Sequence, residues 1–503
     1  MDSAQRPKRR WARWTALGTT AVVLVAAGAF GVFYYLARLD TAGDVDFAAK
    51  MAVPPLAPST TDADGTRTFD LGIQAGETRF LDGPATRTWG VNGSFLGPTI
   101  RAKKGEKVAF NVRNGLSEAT SLHWHGMHLP ADMDGGPHQT VEPGATWRPK
   151  WTVSQQAATL WYHPHLHGKT ANHVYRGVSG MVVLDDERTA GLDLPGEYGV
   201  DDLPMIVQDR AFDGDNQFDE AVPLMSTGGV VGDEILVNGT RGPYVDVSTR
   251  LVRLRLLNAS NARLYNFGFS DDRPFQLIGT DGGLLPKPWE TTRLQLSSGE
   301  RAEVVVAFSP GETVDLRSYP SGSGFNDRLG GSSDRLDLVR FRAGGDLRDE
   351  TEVPQNLGTA PDLASTEIAQ TRSFELNSRT INGATMDMNR IDFGVRVGST
   401  EVWEVVNTNG YMHNFHVHDV QFQVLDVDGR QPPPHLGGWK DTVQLDPDRK
   451  YRLAMKFSDF TDPDVPYMYH CHLMLHEDEG MMGQFVVLRE GEQVGHVTGH
   501  QHR

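Results

Sequence analysis

The histidines of this sequence are concentrated in pairs whose members are separated by one residue. The chain has 18 histidines in 503 residues, and chance placement predicts fewer than one His-x-His pair. Six are present, at positions 123/125, 163/165, 165/167, 416/418, 470/472 and 500/502. On a β-strand, residues i and i+2 share one face, about 6.5–7 Å apart. Two imidazoles at that spacing can each bind a different ion of one cluster, so the pairs predict a polynuclear metal site. Imidazole alone does not choose between copper, zinc, iron and nickel.

The only cysteine of the chain lies inside one of these pairs, in the stretch YHCHLMLHEDEGMM at 469–482. A Cys thiolate with two histidines and a more distant methionine is the ligand set of a blue-copper site. The sequence supplies such a set as His413, Cys471, His476 and Met481. Because neighbouring side chains of a strand point to opposite faces, Cys471 would bind one copper while His470 and His472 bind others behind it. The cysteine would then join two metal centres through a short stretch of backbone.

Three stretches of the chain repeat one pattern, which is an Asn-Gly turn, a loop and an alternating strand that ends at an asparagine. They are 91–115, 237–260 and 381–410. Little of the sequence has the periodicity of a long amphipathic helix, and strands alternate with turns throughout. We therefore predict an all-β fold of three β-sandwich domains. Their expected bounds are 65–190, 200–345 and 370–490.

The histidine pairs fall in the first and third of these domains. The second domain has ASNARLYNFGF where the third has TNGYMHNFHVH, and it lacks histidine at the matching places. We therefore expect the second domain to carry no copper ligand and to space the other two. The first and third domains would meet to build the metal site between them, as ligand sites at domain interfaces commonly are built.

With these residues in view, the sequence resembles the multicopper oxidases of the three-domain laccase and copper efflux oxidase type, over about residues 65–490. The motifs that carry the resemblance are HWHG, WYHPHLHG, HNFHVHDVQFQVL, GWKDTV and HCHLMLHEDEGMM. It implies that each domain is a cupredoxin-like Greek-key sandwich. It also implies four copper ions, with donor oxidation at a type 1 copper and reduction of O2 to water at the other three.

Every ligand position of the family is filled in this chain. The resemblance implies that the type 1 copper is bound by His413, Cys471 and His476 with Met481 axial, and the type 2 copper by His123 and His416. The type 3 pair would be bound by His125, His163, His165, His418, His470 and His472. We expect His167, two residues past His165, to lie outside the ligand set.

The reduction of O2 consumes protons at a buried site, so a carboxylate near the copper cluster is expected. By resemblance Asp134, in MDGGPHQ, and Glu477, in LHEDEG, take this role. Together with Cys471, which would carry the electrons, they complete the predicted catalytic residues.

The N-terminal end is basic and then apolar. We predict residues 1–13 as a cytoplasmic basic segment and 14–37 as a transmembrane helix, because this uncharged run is long enough for a bilayer core of ~20 residues. A cleaved signal segment is the alternative. Residues 38–64 are predicted as a spacer and 491–503 as a tail. The three domains would then lie outside the cytoplasm, on a single-pass anchor in the cell membrane, or exported if the segment is cleaved.

The composition restricts the partners. The net charge is −17 although the first 13 residues are basic, so the remainder is strongly acidic. Such a surface repels the phosphates of nucleic acids, and we expect no nucleic-acid partner. The expected partners are O2 and a small electron donor, together with the membrane through residues 14–37.

Three functions remain open from the sequence. The leading hypothesis is an oxidase for phenols or aromatic amines. A metallo-oxidase for Cu(I), Fe(II) or Mn(II) is the alternative, disfavoured because only Met386 and Met388 occur between 340 and 400 and because Asn409 and Tyr411 replace the Asp and Met that cuprous-oxidising relatives can carry. A non-enzymatic scaffold at the cell envelope is the third possibility, and it would be expected to have lost copper ligands.

Overall fold

The computed structural model describes residues 19–20, 23–32, 34, 38–223, 226–321, 330–349, 352–359, 361–498 and 500–502. The basic segment predicted at 1–13 lies outside these residues, as does part of the predicted transmembrane run. Residues 23–32 are helical. Within the described part of the chain, no helix has both the length and the apolar character needed to cross a membrane.

The all-β prediction is confirmed, since the described helices are short. The α-helices are Thr170–Tyr175, Glu187–Ala190 and Met474–Asp478, and the 3-10 helices are Ala131–Met133 and Pro434–Leu436. Apart from the helical residues 23–32, the other elements of the described residues are strands, which form three pairs of sheets and one small two-stranded sheet.

The first pair of sheets encloses a core that includes Phe69, Phe110 and Trp124. One sheet has the order Lys150–Thr152, Lys107–Asn114, Arg67–Thr78 and Ser59–Thr61, with Thr86–Val91 and Thr146–Trp147 paired at its side. The other has the order Ile100–Lys103, Gly180–Asp185, Ala158–His163 and His123–His125. In Lys107–Asn114 every second side chain is buried, which is the alternation that one core-facing surface requires.

The second pair of sheets encloses a core around Phe267, Phe269 and Phe341. One sheet has the order Ala49–Lys50, Pro243–Thr249, Leu336–Arg348, Thr313–Ser318, Tyr265–Phe269 and Leu294–Leu296. The other has the order Thr240–Arg241, Glu234–Val237, Asp202–Arg210, Leu251–Asn258, Arg301–Ala307, Phe275–Thr280 and Gly283–Thr291. All eight residues of Leu251–Asn258 are buried, so this strand is covered on both faces.

The third pair of sheets encloses a core around Phe374, Trp403 and Phe485. One sheet has the order Thr380–Ile381, Ile368–Asn377, Thr400–Asn407, Lys450–Lys456, Phe422–Val427 and Trp439–Lys440. The other has the order Phe393–Arg396, Met482–Leu488, Asp462–His470, His413–Val417 and Thr442–Leu445. In the small sheet, His500–His502 of the predicted tail pairs with Gln139–Val141.

The three sequence repeats occupy equivalent places in the three sandwiches. Their terminal asparagines Asn114, Asn258 and Asn407 are all fully buried. Each side-chain amide donates to two backbone carbonyls, and each side-chain oxygen accepts from the backbone N–H two residues later. The asparagine therefore closes the same corner three times. In the first and third sandwiches this corner leads into the histidine-bearing strand.

The prediction that residues 38–64 are a spacer is wrong. Ala49–Lys50 pairs with the second sandwich and Ser59–Thr61 with the first. Phe47, Met51 and Ala57 are buried. Two short strands in a segment rich in proline and alanine leave no clear periodicity, and their stability comes from sheet edges that lie far away in the sequence. This segment binds two sandwiches together.

Candidate metal centre

The strands that carry the histidine pairs are neighbours within each sandwich. In the first, His123–His125 is antiparallel to Ala158–His163, and His123 lies opposite His163. In the third, His413–Val417 is antiparallel to Asp462–His470, and His416 lies opposite His470. The register of each sheet therefore places two His-x-His motifs side by side.

The two sandwiches meet at these strands, as predicted. The rings of His123 and His418 stack with their centroids 3.9 Å apart, and those of His125 and His416 stack at 3.7 Å. All of the predicted histidine ligands are 0–1% exposed, so the meeting point is sealed from bulk solvent. His167, by contrast, is exposed, as expected for a residue outside the cluster.

Two groups at this interface each bring three imidazole nitrogens together. In one, Nε2 of His470 lies 3.2 Å from Nε2 of His165 and 3.2 Å from Nε2 of His418. In the other, Nε2 of His163 lies 3.4 Å from Nδ1 of His125 and 3.4 Å from Nε2 of His472. Each group thus combines ligand atoms from the first and third sandwiches.

His123 and His416 form a third group beside them, and His125 lies within reach of both. The Nε2 atoms of His123 and His416 are buried, and within the described part of the chain neither atom has a hydrogen-bond partner. A buried polar atom without a partner is rare and costly, so each of these atoms requires an explanation. A bound cation would supply the missing interaction.

The protonation of these groups fits a cation as well. Burial lowers the pKa of His165, His418 and His470 well below the ordinary value, so all three are neutral near pH 7. A neutral imidazole has one lone pair and one N–H. Where three such nitrogens converge, lone pairs face each other, and a metal ion satisfies them all. The residues present therefore fit metal ions.

The hydrogen bonds on the outer side of the rings select the ligand atom. The Nδ1–H groups of His123, His163 and His416 donate to the backbone carbonyls of Asp134, Pro164 and Asp441, at 2.8–2.9 Å. A donor at Nδ1 leaves the lone pair at Nε2, which faces the cluster. His125 has the reverse orientation, because its Nε2 faces the carboxylate of Asp441 at 3.1 Å.

A fourth group lies around Cys471, which directly follows the strand Asp462–His470. The thiol sulfur is 3.4 Å from Nδ1 of His413 and 3.5 Å from Nδ1 of His476. Burial raises the pKa of the Cys471 thiol to about 12, and a thiolate here therefore needs a bound cation. Met481 is fully buried, and its backbone carbonyl accepts from the Cys471 N–H at 3.1 Å.

The two predicted carboxylates both lie against cluster histidines. His418 Nδ1–H donates to Asp134 Oδ2 at 2.7 Å. Glu477, on the helix Met474–Asp478, places Oε1 3.3 Å from Nδ1 of His165 and Oε2 3.4 Å from Nδ1 of His470. Burial raises the pKa of Glu477 well above its ordinary value, which favours the protonated acid.

Sequence reasoning missed several residues around these groups. Asp441 contacts two cluster histidines but entered the sequence analysis only as part of GWKDTV. Arg379 lies beside the cysteine group, where it donates to Thr227 O at 2.9 Å and forms an ion pair with Glu479. Burial and the charge of Arg379 together lower the pKa of His413 to about 3. No local sequence pattern marks Arg379.

The multicopper oxidase family profile matches residues 72–189 and 354–491 of the chain. The chain is 36% identical to a multicopper oxidase of Staphylococcus epidermidis, over 86% of this chain and 91% of the relative. It is also 37% identical to the cell division protein FtsP of Xenorhabdus nematophila, over 87% and 92% of the two chains.

Among solved structures, the chain resembles a laccase-like multicopper oxidase, CueO, from the lignin-degrading bacterium Ochrobactrum sp.. The TM-score is 0.79 at 36% identity, and the match covers 87% of this chain and all of the other. These matches and the buried histidine groups define a cupredoxin-like copper protein of the oxidoreductase class. The chain belongs to the multicopper oxidase family, whose members use copper, O2 and a reducing substrate.

Proposed function

We propose that the protein binds four copper ions and couples the one-electron oxidation of an organic donor to the reduction of O2 to water. The observation that carries this proposal is the convergence of ten histidines and one cysteine into four adjacent buried groups. Bound copper would supply the one-electron chemistry. Four ions suit the reaction, because O2 reduction to water needs four electrons.

The four groups correspond to the ligand sets of the family. The proposed type 1 ligands are His413, Cys471 and His476, with Met481 added from the family resemblance, and the proposed type 2 ligands are His123 and His416. The proposed type 3 ligands are His125, His163 and His472 for one ion and His165, His418 and His470 for the other.

The chain itself supplies a short covalent connection between the two centres. Cys471 belongs to the type 1 group, while His470 and His472, its two neighbours, belong to the two type 3 groups. The ligands of the two centres therefore alternate along residues 470–472, at the end of the strand Asp462–His470, while the peptide backbone joins them. Electrons accepted at the cysteine group would need to cross only a few bonds to reach the cluster.

Protons for the reaction would come from Glu477, and Asp134 would orient the cluster. Burial raises the pKa of Glu477 well above its ordinary value and so favours its protonated form, and the side chain faces one histidine from each half of the interface. Asp134 contacts His418 through its side chain and His123 through its backbone carbonyl. We propose Glu477 as the proton donor for O2 reduction and Asp134 as a carboxylate that holds both histidines and shares in proton movement.

The surroundings of the type 1 group favour an organic donor, neutral or anionic, over a metal cation. Arg379 is about one quarter exposed and places its charge beside His413 and His476. A carboxylate at position 409 would attract a cation. The residue there is Asn409, whose amide nitrogen lies 3.0 Å from Nε2 of His413. Phenols and aromatic amines fit this environment better than Cu(I) or Fe(II). The Ochrobactrum relative acts on lignin model compounds, which agrees with this class.

Metal analysis with absorption spectroscopy of the copper-loaded protein tests the core of the proposal. We expect four coppers per chain, an intense thiolate-to-copper charge-transfer band and a near-ultraviolet shoulder from the type 3 pair. Turnover of a phenolic dye should exceed turnover of cuprous ion. Fewer than four coppers would refute the cluster assignment, while oxidation of the metal ion alone would refute only the donor class.

Two other functions have specific support. The acidic surface attracts cations, which favours a metallo-oxidase, and the dye-against-ion comparison decides that case. The FtsP relative favours a role in cell division without catalysis. Such a scaffold has no need of copper ligands, yet this chain has all twelve ligand residues in buried places. Failure to bind copper would support the scaffold.

For the location of the protein, we propose an extracytoplasmic catalytic body held by a helix formed by the apolar run 14–37. The support is the length of this uncharged run behind a basic start. Fractionation of the full chain tests it. We expect the protein in the membrane fraction after a high-salt wash, and release by salt would overturn the anchor.

A further inference from the structure

The second sandwich reaches the metal centre through the loop 297–301, Ser-Ser-Gly-Glu-Arg. Residues 200–345 contain neither histidine nor cysteine, and from the sequence this domain is only a spacer. In the structure, Ser298 O accepts from the Asn414 amide at 2.9 Å, next to Cys471. Gly299 has a φ of +85°, and a Cβ there would lie 3.1 Å from the ring of His472. The loop is therefore packed directly against the ligand residues.

Arg301, at the end of this loop, forms a two-point ion pair with Asp441 of the third sandwich. Its Nη1 donates to Oδ1 at 2.7 Å and its Nη2 to Oδ2 at 2.6 Å, and neither side chain is exposed. Its Nε donates to Thr159 O of the first sandwich at 2.9 Å. A planar guanidinium bound at both ends fixes the orientation of the carboxylate, which a lysine cannot do.

Asp441 in turn orients two histidines, which belong to different groups, through hydrogen bonds. Its Oδ1 accepts from Nε2–H of His125 at 3.1 Å, so that Nδ1 of His125 is turned towards the cluster. Its backbone carbonyl accepts from Nδ1–H of His416 at 2.9 Å, so that Nε2 of His416 is turned towards the cluster. One residue thus sets the ligand atom of a proposed type 2 histidine and of a proposed type 3 histidine.

More buried charges surround the pair. Lys440, the neighbour of Asp441, binds Asp281 at 2.9 Å and Glu300 at 2.8 Å, and Asp281 accepts from the Arg301 N–H at 2.7 Å. Two cations and three carboxylates are therefore sealed between the second and third sandwiches. Well-packed apolar residues would stabilise such an interface as well or better. The charges accordingly point to a role in positioning rather than to stability alone.

We propose that Arg301 is a positioning residue for the copper cluster: it holds Asp441 in the one orientation that presents His125 and His416 as ligands. This inference rests on the proposed function. It assigns to the ligand-free second domain a part in the geometry of the cluster, and not only in the spacing of the other two.

Arg301→Lys in the copper-loaded full chain tests this inference, with Arg255→Lys as the matched control. Arg255 is also a fully buried arginine between the first two sandwiches, with a two-point ion pair to Asp202 at 2.6 and 2.9 Å. Within the described residues, its side chain binds Asp202, Glu303 and Thr159, and not Asp441 or a histidine. Both substitutions keep the positive charge and remove the planar guanidinium. Only the guanidinium of Arg301 is proposed to orient the cluster, so only its replacement should affect the copper sites.

For Arg301→Lys we expect type 2 copper to bind about 10–100-fold more weakly in chelator competition, the usual effect of removing a partner behind a metal ligand. The electron paramagnetic resonance spectrum of the type 2 copper should change and the near-ultraviolet shoulder should weaken, while the thiolate band of the type 1 copper is retained. Arg255→Lys should leave the type 2 copper affinity, the electron paramagnetic resonance spectrum, the near-ultraviolet shoulder and the thiolate band at their wild-type values.

Two results would overturn the inference: wild-type cluster signals in Arg301→Lys, or equal losses in both variants, which would indicate general loosening of the interface. If Arg301→Lys does not fold, Asp441→Asn decides, because it keeps the size of the side chain; unchanged copper affinity there overturns the inference as well. Wild-type protein without cluster signals would instead refute the proposed function itself, so the two failures are distinguishable.

Discussion

Asp134 Oδ2 lies 2.7 Å from Nδ1 of His418, although 284 residues separate them in the chain. The contact crosses from the first sandwich to the third, and the backbone carbonyl of the same aspartate holds His123. The interface between the two sandwiches is therefore closed by the proposed ligand residues and the groups that bind them. The metal centre and the docking of the domains depend on the same contacts.

Asp134→Asn should slow oxidase turnover by about 10–100-fold, because the amide does not hold the His418 N–H as a carboxylate does. The thiolate band of the type 1 copper should be unchanged, since Asp134 binds His418 and His123 and not the cysteine group. Steady-state kinetics and absorption spectra check both. Asp132→Asn, on the same 3-10 turn, is the control and should retain turnover; an equal loss there would contradict a specific role for Asp134.

Glu477→Gln should reduce turnover by about 100-fold or more, because the amide cannot give a proton to the reaction. Reduction of the type 1 copper by the donor should remain fast in a stopped-flow measurement, so that the reduced enzyme accumulates in the presence of O2. Asp478→Asn is the control, since the Asp478 carboxylate accepts from Thr170 N and Ala171 N instead. Fast reoxidation of Glu477→Gln by O2 would rule out its role as the proton donor.

Cys471→Ser should abolish the thiolate band and the oxidase turnover together. The three histidine groups do not use the sulfur, so this variant should still bind the type 2 and type 3 copper, measured as copper content close to three per chain. Retained turnover, or loss of all copper, would contradict the separation of the two centres.

Arg379→Gln should lower the preference for anionic donors. The Arg379 side chain is partly exposed and paired with Glu479, so it attracts an anionic donor only modestly. We expect the KM for a phenol carboxylate to rise by about twofold to fivefold. A neutral phenol serves as the matched substrate and should change less. A larger change for the neutral phenol would indicate a structural defect at the type 1 group.

The pKa of Glu303 predicts how the stability of the fold changes in acid. Burial raises its pKa, but Arg253 and Arg255 outweigh burial and hold the folded pKa at about 2, below the ordinary 4.5. A depressed pKa stabilises the folded state above pH 4.5, and this contribution is lost as the pH falls from 4.5 towards 2.

Glu303→Gln should therefore destabilise the protein at pH 7 by about 3–5 kcal/mol, because buried Arg253 loses its carboxylate partner and Arg255 loses one of its two. The difference from wild type should shrink at pH 3, as measured by denaturant unfolding of each protein at both pH values. An equal difference in unfolding free energy at pH 7 and pH 3 would contradict the lowered pKa of Glu303. Glu312→Gln, a partly exposed carboxylate also paired with an arginine, should cost about 1 kcal/mol or less at pH 7.

Much of the metal centre could be predicted from local sequence. The i, i+2 spacing of His123/His125 and His416/His418 places two imidazoles on one strand face, whatever surrounds the strand. The single thiol between His470 and His472 points to the other face for the same reason. The repeats ending at asparagines predicted three equivalent sandwiches because each forms the same local corner. Local geometry is enough for all of these.

The partners across the interface could not be predicted in this way. Arg301 and Asp441 lie 140 residues apart, and no periodicity joins them. The segment 38–64 pairs with sheet edges formed by residues up to about 190 positions away, and its composition indicated only a linker.

The sequence by itself determined the kinds of ligand, their spacing along each strand and the separation of the sulfur from its two neighbouring histidines, because these follow from bond geometry within a few residues. Only the tertiary structure decided which histidines lie together in one buried group, which ring nitrogen each turns towards it, and that Arg301, from a domain without histidine, binds the aspartate that contacts two of them. Those features depend on contacts between distant segments, which form only when the three sandwiches pack together and exclude water.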